Sequence, residues 1–405
     1  MKRSLIFILS LCLAVVIFTA GNNGKGAQRA QKGATLPAWS EGYLDIHTIS
    51  TGRGECLFFV LPDGTTMVVD AGEFSREGKK HKNVLQRPNA QTRPTKVFAD
   101  YIRHFMPKNR DAVDYFNLSH FHMDHMGNLE KEYEHFAEGN YTLTGVMALY
   151  HHVPFLEIND RAYGAYDSLK VKAMSVGGTE HYKRFIEYNK AKNGLKATRF
   201  ELGAVNQFAL KYNAKAYPNF RIDNICSNGY VWLDGKAKDV YAGKRDNLRE
   251  NAASCGFVVR YGEFDFLTAG DIGDYHDLEY YVSLAAGDVD AVKAHHHLSP
   301  HSMSRKAMEP LKAENMVVTS FYVREIQPDK SKFGYLNELG CNIFCTSVGE
   351  SLLEQYPTEY AACKATSGHI VIRVAPKGKR YWIYTLDDSN SEYRVKDIHG
   401  PYKCK

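Results

Sequence analysis

Three histidines and one aspartate lie within six residues of the segment 118–128, in the order His-x-His-x-Asp-His. Imidazole nitrogens and carboxylate oxygens are common metal ligands, and histidine makes up only 17 of the 405 residues. The spacing lets His120 and His122 face one cation from a single loop, while Asp124 and His125 face a second cation beside it. This segment therefore predicts half of a dinuclear metal site.

Two further segments end in residues that can complete such a site. The strand-like segment 264–268 leads into a Gly-Asp turn, so Asp271 is the candidate carboxylate to bridge two cations about 3.5–4 Å apart. The strand-like segment 289–294 is followed by three histidines in a row, His295, His296 and His297. One of these three is expected to supply the last imidazole.

The chain around these segments alternates between strand-like and helix-like patterns. Apolar runs and alternations bounded by turn residues predict strands at 43–49, 56–61, 66–69, 115–118, 143–150, 230–233, 256–261, 264–268, 289–294, 316–321, 342–346, 369–374 and 381–385. Helical spacing of apolar residues predicts helices at 97–105, 129–137, 181–192 and 277–285. This pattern is typical of an α/β fold, in which ligand sites gather at the carboxyl ends of strands.

The first residues of the sequence predict an exported protein. Lys2 and Arg3 precede the apolar run 5–20, so we interpret residues 1–21 as a signal peptide. Residues 22–40 have no apolar period and are expected to form a flexible linker. No later stretch is apolar enough to span a bilayer, so we expect no stable membrane span after cleavage and a periplasmic or extracellular location.

Residues 41–405 are expected to form one large domain with insertions at about 73–96 and about 130–250 and a C-terminal extension. The formal charge is +5, and removal of Lys2 and Arg3 leaves +3, which is too mild to argue for nucleic-acid binding by itself. The chain beyond the leader keeps seven of the eight cysteines, and an odd number leaves at least one thiol free. Pairing among Cys341, Cys345, Cys363 and Cys404 stays open.

Several motifs together resemble one known family. They are Gly52-Arg53-Gly54-Glu55, Pro62-Asp63-Gly64, Asp70-Ala71-Gly72, the His120–His125 motif, Asn251 with Ser254, Leu267-Thr268-Ala269-Gly270-Asp271, and Lys293 through Ser302. They resemble the metallo-β-lactamase superfamily, and within it the branch similar to the exported domain of ComEC-type competence proteins. The resemblance spans roughly residues 43–130 and 250–347. It implies an αβ/βα four-layer sandwich with the metals at one edge of its two sheets.

The resemblance also implies roles for the site residues. His120 and His122 would hold the first metal, Asp124 and His125 the second, and Asp271 would bridge them, so that Asp124 and Asp271 are the carboxylates of the catalytic centre. The second site would be completed by His296 or His297. The branch usually has His-His-Gly-Ser where this chain has His296-His297-Leu298-Ser299. Because His295 precedes this pair, the position of the ligand is uncertain by one residue, and we favour His296.

Two further positions follow from the same resemblance. Asp70 resembles an aspartate that orients a ligand histidine from outside the coordination sphere. Many members of the superfamily supply one more imidazole to the first metal from the interval before the bridging aspartate. His151, His152 and His181 lie in that interval, and we leave this ligand open.

Imidazole and carboxylate ligands suit two Zn²⁺ ions best, with Mn²⁺ or Fe²⁺ as alternatives. A metal-bound water, with its pKa lowered from about 15.7 to about 7, would attack an electrophilic centre. The branch resemblance favours a phosphodiester substrate, either a small molecule or a nucleic acid. The oligomeric state stays open.

Two alternative functions remain. A carboxyl-type hydrolase, acting on a lactam, lactone or thioester, is disfavoured because Asp271 stands where many zinc β-lactamases have cysteine and because the Pro-Gly-His turn of thioesterase and lactonase relatives is absent. A non-catalytic binding protein that retains the fold is disfavoured because such proteins usually lose metal ligands, whereas this chain keeps them.

Overall fold

Two nine-stranded β-sheets form the centre of the molecule. The structure is a computed structural model that describes residues 30–74, 85–127, 152–166, 171–172, 176–320 and 327–405. The predicted signal peptide, residues 22–29 of the predicted linker, the predicted helix 129–137 and the predicted strand 143–150 lie outside these residues. Among the described helices, none is both long and apolar enough to cross a membrane.

The strands, in chain order, are β1 (Leu44–Thr48), β2 (Leu57–Val60), β3 (Thr66–Val69), β4 (Val113–Leu118), β5 (Phe155–Asp160), β6 (Lys196–Arg199), β7 (Phe220–Ser227), β8 (Tyr230–Leu233), β9 (Lys236–Asp239), β10 (Gly256–Tyr261), β11 (Phe264–Thr268), β12 (Ala291–Lys293), β13 (Asn315–Val318), β14 (Asn342–Cys345), β15 (Cys363–Ala365), β16 (His369–Val374), β17 (Arg380–Leu386) and β18 (Val395–Lys403). The α-helices are α1 (Pro94–Phe105), α2 (Met123–Met126), α3 (Val176–Asn193), α4 (Leu278–Ala286), α5 (Arg305–Leu311), α6 (Ser331–Glu338), α7 (Glu350–Gln355) and α8 (Pro357–Tyr360).

Each sheet combines antiparallel and parallel strands. The first sheet has the order β18-β17-β16-β1-β2-β3-β4-β5-β6, and its strands from β3 to β6 are parallel. The second sheet has the order β15-β14-β13-β12-β11-β10-β7-β8-β9, and its strands from β11 to β15 are parallel. Since parallel strands end at the same edge, the loops after β3, β4, β11 and β12 can meet there.

Alternation along the strands creates the layers. In β2, Leu57 and Phe59 pack between the sheets, whereas Phe58 and Val60 point to the outer face with α1 and α3. In β13, Val317 packs between the sheets and its neighbours on either side join the helices of the second outer layer. Successive strand side chains point to opposite faces, so central strands such as β2 and β13 are buried on both faces. The predicted α/β four-layer sandwich is confirmed.

Helix α1 shows how the outer layer attaches. Proline at Pro94 suits the first helical turn because its missing N–H needs no partner there. Apolar residues recur at helical spacing and are buried against the first sheet, namely Val97, Phe98, Tyr101, Ile102 and Phe105. The helix ends at Phe105, shortly before a proline, as the sequence predicts.

The stretch predicted as an insertion at about 130–250 contributes β5 and β6 to the first sheet and β7, β8 and β9 to the second. It therefore supplies strands to the central layers as well as loops. All seven described cysteines are unpaired. The Sγ atoms of Cys345 and Cys363, on adjacent strands, are 3.7 Å apart.

Candidate metal centre

Four side chains from three loops bring donor atoms together at the edge of the two sheets. Nε2 of His125 lies 3.2 Å from Nε2 of His297 and 3.2 Å from Oδ2 of Asp271. Nε2 of His297 lies 3.3 Å from the same Asp271 oxygen and 3.3 Å from Oδ2 of Asp124. The remaining measured separation, from His125 Nε2 to Asp124 Oδ2, is 3.7 Å.

These separations match the geometry of a bound transition metal. Zinc-to-ligand distances near 2.0–2.1 Å in a tetrahedral site place neighbouring donors about 3.3–3.4 Å apart. Asp271 is 1% exposed, and its second oxygen, Oδ1, is buried without a hydrogen-bond partner among the described residues. An unpartnered buried carboxylate oxygen is costly unless a cation occupies the space beside it. The residues present therefore fit a metal at this position.

Three further histidines, His120, His122 and His296, form a second group beside Asp271. Nε2 of His120 is 3.1 Å from Nδ1 of His122 and 3.9 Å from Oδ2 of Asp271. Nε2 of His296 is also 3.9 Å from Oδ2 of Asp271. Imidazole nitrogens of four histidines therefore lie within 3.9 Å of this one oxygen, which suits a carboxylate shared by two cations.

The backbone after β12 decides which histidine enters the centre. His296, His297 and Leu298 all have positive φ angles, of 45°, 54° and 58°. This left-handed run is costly for residues with a side chain, and it directs consecutive imidazoles to different places. His297 reaches the donor group described above, although the sequence led us to favour His296. Nδ1 of His295 lies 2.9 Å from a carboxylate oxygen of Glu279 instead.

Neighbouring residues orient the imidazoles of His125 and His297. Oδ2 of Asp70 lies 2.7 Å from Nδ1 of His125, and Oδ1 accepts the backbone N–H of Ser119 at 2.7 Å. Nδ1 of His297 lies 2.9 Å from the carbonyl oxygen of Thr319 and donates to it. Since both Nδ1 atoms are engaged, both Nε2 atoms remain for a metal. Asp70 thus has the geometry of the predicted orienting carboxylate.

The turn after β3 approaches the histidine loop closely. A Cβ atom added at Gly72 would collide with the backbone of Asp124, so only glycine fits there. The N–H of Ala71 donates to the carbonyl of His125 at 2.8 Å. The Asp-Ala-Gly motif therefore brings the orienting carboxylate against the loop that it orients.

In the centre, each imidazole stabilises the charged form of the neighbouring carboxylates, and each carboxylate stabilises the charged form of the neighbouring imidazoles. Burial alone would lower the pKa of His297, but Asp271 and Asp124 outweigh it and raise the pKa to about 9. Burial would raise the pKa of Asp124, but His125 and His297 lower it to about 2. The carboxylates thus stay ionised at neutral pH, and a divalent cation would replace the protons that the imidazoles otherwise hold.

Two buried ion pairs hold the loops, and neither was assigned a role from the sequence. Nζ of Lys293 donates to Oε2 of Glu55 at 2.7 Å. Oε2 of Glu250 lies 2.5 Å from Nη2 of Arg161, while its Oε1 accepts the backbone N–H of Phe121 at 2.7 Å. Phe121 separates the first two histidines of the motif, so Glu250 fixes the backbone that carries them.

Glu55 is close enough to be considered as a ligand. One of its oxygens lies within 4.8 Å of donor atoms of His125, Asp271 and His297. Its Oε2, however, accepts from Lys293 and faces Nδ1 of His297 at 3.5 Å, whereas Nε2 is the nitrogen that faces the other donors. We therefore interpret Glu55 as a support of the centre, with Asp124 as the fourth donor.

The histidine left open for the first metal has three candidates from the sequence. His151 lies outside the described residues. His152 is exposed and lines a separate cavity of about 400 Å³ beside Phe155. His181 is half-buried on α3. Nε2 of His296 lies as far from Oδ2 of Asp271 as Nε2 of His120 does, at 3.9 Å, so His296 is a further candidate.

A cavity of about 460 Å³ opens in front of the centre. His122, Asp271 and His296 form one side of it. The other lining residues are mostly polar or aromatic: Lys172, Tyr241, Asn247, Arg249, Glu250, Asn251, Ala252, Gly273, Tyr275 and His276. Its volume lies within the range of about 300–1,000 Å³ typical of small-molecule sites.

Comparison with known proteins gives structural neighbours alone. No protein-family model and no curated protein sequence matches the chain. A solved structure described as Tm1679, a metal-dependent hydrolase of the β-lactamase superfamily, aligns over 82% of this chain and 99% of its own, with a TM-score of 0.35 and 13% identity. Human tRNase Z, short form, aligns over 68% of this chain and 92% of its own, with a TM-score of 0.31 and 12% identity. These values assign neither a reaction nor a substrate.

Proposed function

We propose that this protein is a metal-dependent hydrolase of the metallo-β-lactamase type that uses two divalent cations, with zinc as the best fit, to cleave a phosphodiester. One observation carries this proposal: donor atoms of four side chains lie 3.2 to 3.7 Å apart, namely those of His125, His297, Asp271 and Asp124. In three of these pairs, a carboxylate oxygen faces an imidazole nitrogen at 3.2 or 3.3 Å. Such spacing of mixed nitrogen and oxygen donors suits a transition metal.

The proposed ligand sets share one carboxylate. Asp124, His125 and His297 would hold one cation together with Asp271. The two histidines that begin the motif, with His296 as the additional imidazole, would hold the other cation together with the same carboxylate of Asp271. The unpartnered Oδ1 of Asp271 supports this role, because it leaves a second carboxylate oxygen available to a cation.

When bound, the two cations would activate water and offset the negative charge that develops on the phosphoryl oxygens. The chain's own contribution is to keep the donors in place and correctly protonated. Asp70 holds His125 through Nδ1, and the Thr319 carbonyl does the same for His297. The low pKa values of Asp124 and Asp271, depressed by neighbouring histidines despite burial, keep both carboxylates charged.

The choice of a phosphodiester is supported by the charge of the cavity and by the motifs similar to the ComEC-type branch. Lys172 and Arg249 line the cavity and favour an anionic substrate over a neutral lactam, lactone or thioester. We also propose export, on the pattern of residues 1–21.

The test combines metal content with a substrate screen. Purified protein in metal-replete buffer is expected to bind close to two metal ions per chain, measured by plasma mass spectrometry. The screen compares bis-p-nitrophenyl phosphate, a phosphomonoester, single-stranded DNA and a β-lactam, and we expect turnover of a phosphodiester. Metal content near zero, or turnover of the β-lactam alone, would contradict the proposal.

Asp271→Ala sharpens this test. It should lower the metal content and abolish turnover while circular dichroism shows a retained fold, since it removes the shared carboxylate. Asp288→Ala is the matched control, because this aspartate is 42% exposed and pairs with Lys405 on the surface. Unchanged activity of Asp271→Ala would remove this residue from the centre.

A further inference from the structure

The cavity in front of the metal centre is lined both by residues of the centre and by positively charged side chains. His122, Asp271 and His296 belong to the centre, whereas Lys172 and Arg249 are cationic residues that line the same cavity. Both cations are exposed at the cavity. Within the described part of the chain, no carboxylate oxygen lies within 4 Å of the charged nitrogens of either residue. Nζ of Lys172 donates to Oδ1 of Asn247 at 3.3 Å, and this neutral partner does not offset the positive charge.

The backbone places these two cations side by side. The N–H of Lys172 donates to the carbonyl of Leu248 at 3.0 Å, and the N–H of Glu250 donates to the carbonyl of Lys172 at 3.0 Å. These bonds form a parallel bridge between Lys172 and Arg249. Two adjacent cations on a fixed backbone form a natural site for a multiply charged anion such as a phosphate.

The same backbone connects the cations to the centre. The residue after Arg249 is Glu250, which holds the backbone of the histidine motif through Phe121. The next residue is Asn251, whose Nδ2 lies 3.1 Å from Nε2 of His296. Three consecutive residues, 249 to 251, therefore connect the cationic part of the cavity lining to the backbone of the histidine motif and to His296. These contacts set the distance between a bound anion and the metal centre.

Aromatic rings form a third part of the cavity lining. Tyr275 lines the cavity and is 48% exposed, and its ring centroid lies 5.5 Å from that of His301. His276 has a φ of 56° and packs edge-on against Tyr241 at a centroid distance of 4.9 Å. An exposed ring beside cations provides a surface for stacking a nucleobase.

We infer that this cavity binds a nucleotide unit, with Lys172 and Arg249 holding a phosphate group next to the scissile phosphodiester and Tyr275 stacking on the base. The inference rests on the proposed function, since it names the substrate of the same centre. The unit belongs either to a small nucleotide or to the 5′ end of a DNA or RNA strand. The cavity volume of about 460 Å³ suits one or two nucleotides.

The test uses two substrates that differ in one phosphate. The thymidine dinucleotides with and without a 5′-phosphate share the same scissile bond, so their ratio of kcat/KM reports the additional phosphate alone. We expect the metal-loaded wild-type protein to favour the phosphorylated dinucleotide by about tenfold or more, since charge-assisted hydrogen bonds are the strong ones. The variant with Lys172→Ala and Arg249→Ala should lose this preference.

A matched double variant controls for general charge effects. Lys236→Ala with Lys244→Ala removes the same charge from two exposed lysines that do not line the cavity, and it should keep the preference. A 5′-phosphorylated thymidine oligonucleotide, compared with the dinucleotide, distinguishes a strand end from a free nucleotide. Equal kcat/KM values for both dinucleotides, or a preference that persists in the cavity variant, would overturn the inference while leaving hydrolysis intact.

Equilibrium binding separates the inference from the proposed function. Calorimetry with thymidine 5′-monophosphate and thymidine measures the phosphate contribution without turnover of a diester. Tighter binding of the monophosphate that depends on Lys172 and Arg249 would support the inference even if neither dinucleotide were cleaved, in which case the proposed phosphodiesterase function alone would fail. Equal binding of both ligands, or discrimination unaffected by the cavity variant, would reject the anion site.

Discussion

The buried pair of Lys293 and Glu55 gives the sharpest stability prediction. Nζ of Lys293 donates to Oε2 of Glu55 at 2.7 Å and to the carbonyl of Gly270 at 3.1 Å, and both side chains are fully buried. Burial would lower the pKa of Lys293, but Glu55 and Asp271 outweigh it and raise the pKa, so the pair is ionic at neutral pH. The pair joins the loop before β2 to β12 in the other sheet.

Lys293→Met should destabilise the metal-free protein by about 3–5 kcal/mol, because it leaves the Glu55 carboxylate in the interior without its counter-charge. The variant with both Lys293→Met and Glu55→Gln should recover much of this loss, since it removes both charges together. The loss of stability comes from the uncompensated charge of Glu55. It is therefore expected to be larger than the loss from the missing packing of the lysine side chain alone.

Guanidinium unfolding followed by circular dichroism measures these differences on the chelator-treated protein. Lys306→Met is the control, because Lys306 forms a 2.7 Å pair with Asp277 on the surface and its loss should leave the unfolding midpoint nearly unchanged. The reasoning fails if Lys293→Met costs less than about 1 kcal/mol, or if the double variant is less stable than the single one.

Three further perturbations test other contacts of the centre and the core. Asp70→Asn should weaken metal binding by about 10–100-fold in a chelator competition, because the charge that orients His125 is lost; affinity equal to wild type would exclude this role. Glu250→Gln should lower the free energy of unfolding by about 3 kcal/mol or more, since Arg161 stays buried without its counter-charge, and an unchanged denaturation midpoint would speak against it. Burial lowers the pKa of His369 to about 4 from 6.5, so the unfolded chain binds more protons between these values. Stability should therefore fall by about 3 kcal/mol as the pH drops from 6.5 to 4, and His369→Asn should reduce this slope; an identical slope in the variant would refute the assignment.

Much of the central architecture could be predicted because the buried strands have unambiguous patterns. The predicted strands 256–261 and 264–268 match β10 and β11, and the turn between them is Gly262-Glu263. By contrast, β6 has the sequence Lys-Ala-Thr-Arg and lies at an edge with no buried residue, so nothing in its local pattern marks it as a strand. Its pairing with β5 alone makes it one.

The convergence of the predicted side chains follows from their positions after strands, but the register of the histidine run could not be predicted. The left-handed run at His296, His297 and Leu298 depends on tertiary packing, and no local rule assigns positive φ to three consecutive residues with side chains. The partners Glu55 and Lys293 stand 238 positions apart, so each is visible in the sequence while their contact is not. Arg161 lies in the segment with the weakest pattern, and its burial comes only from the fold.

The centre is assembled across two sheets, and this has a consequence for metal binding. The turns after β3 and β4 bring Asp70 and the histidine motif from the first sheet, while those after β11 and β12 bring Asp271 and His297 from the second. Neither sheet alone holds a complete ligand set, so the apolar layer between the sheets determines the donor separations. Metal binding is therefore coupled to the docking of the sheets, and a bound cation would stabilise their contact in proportion to its affinity.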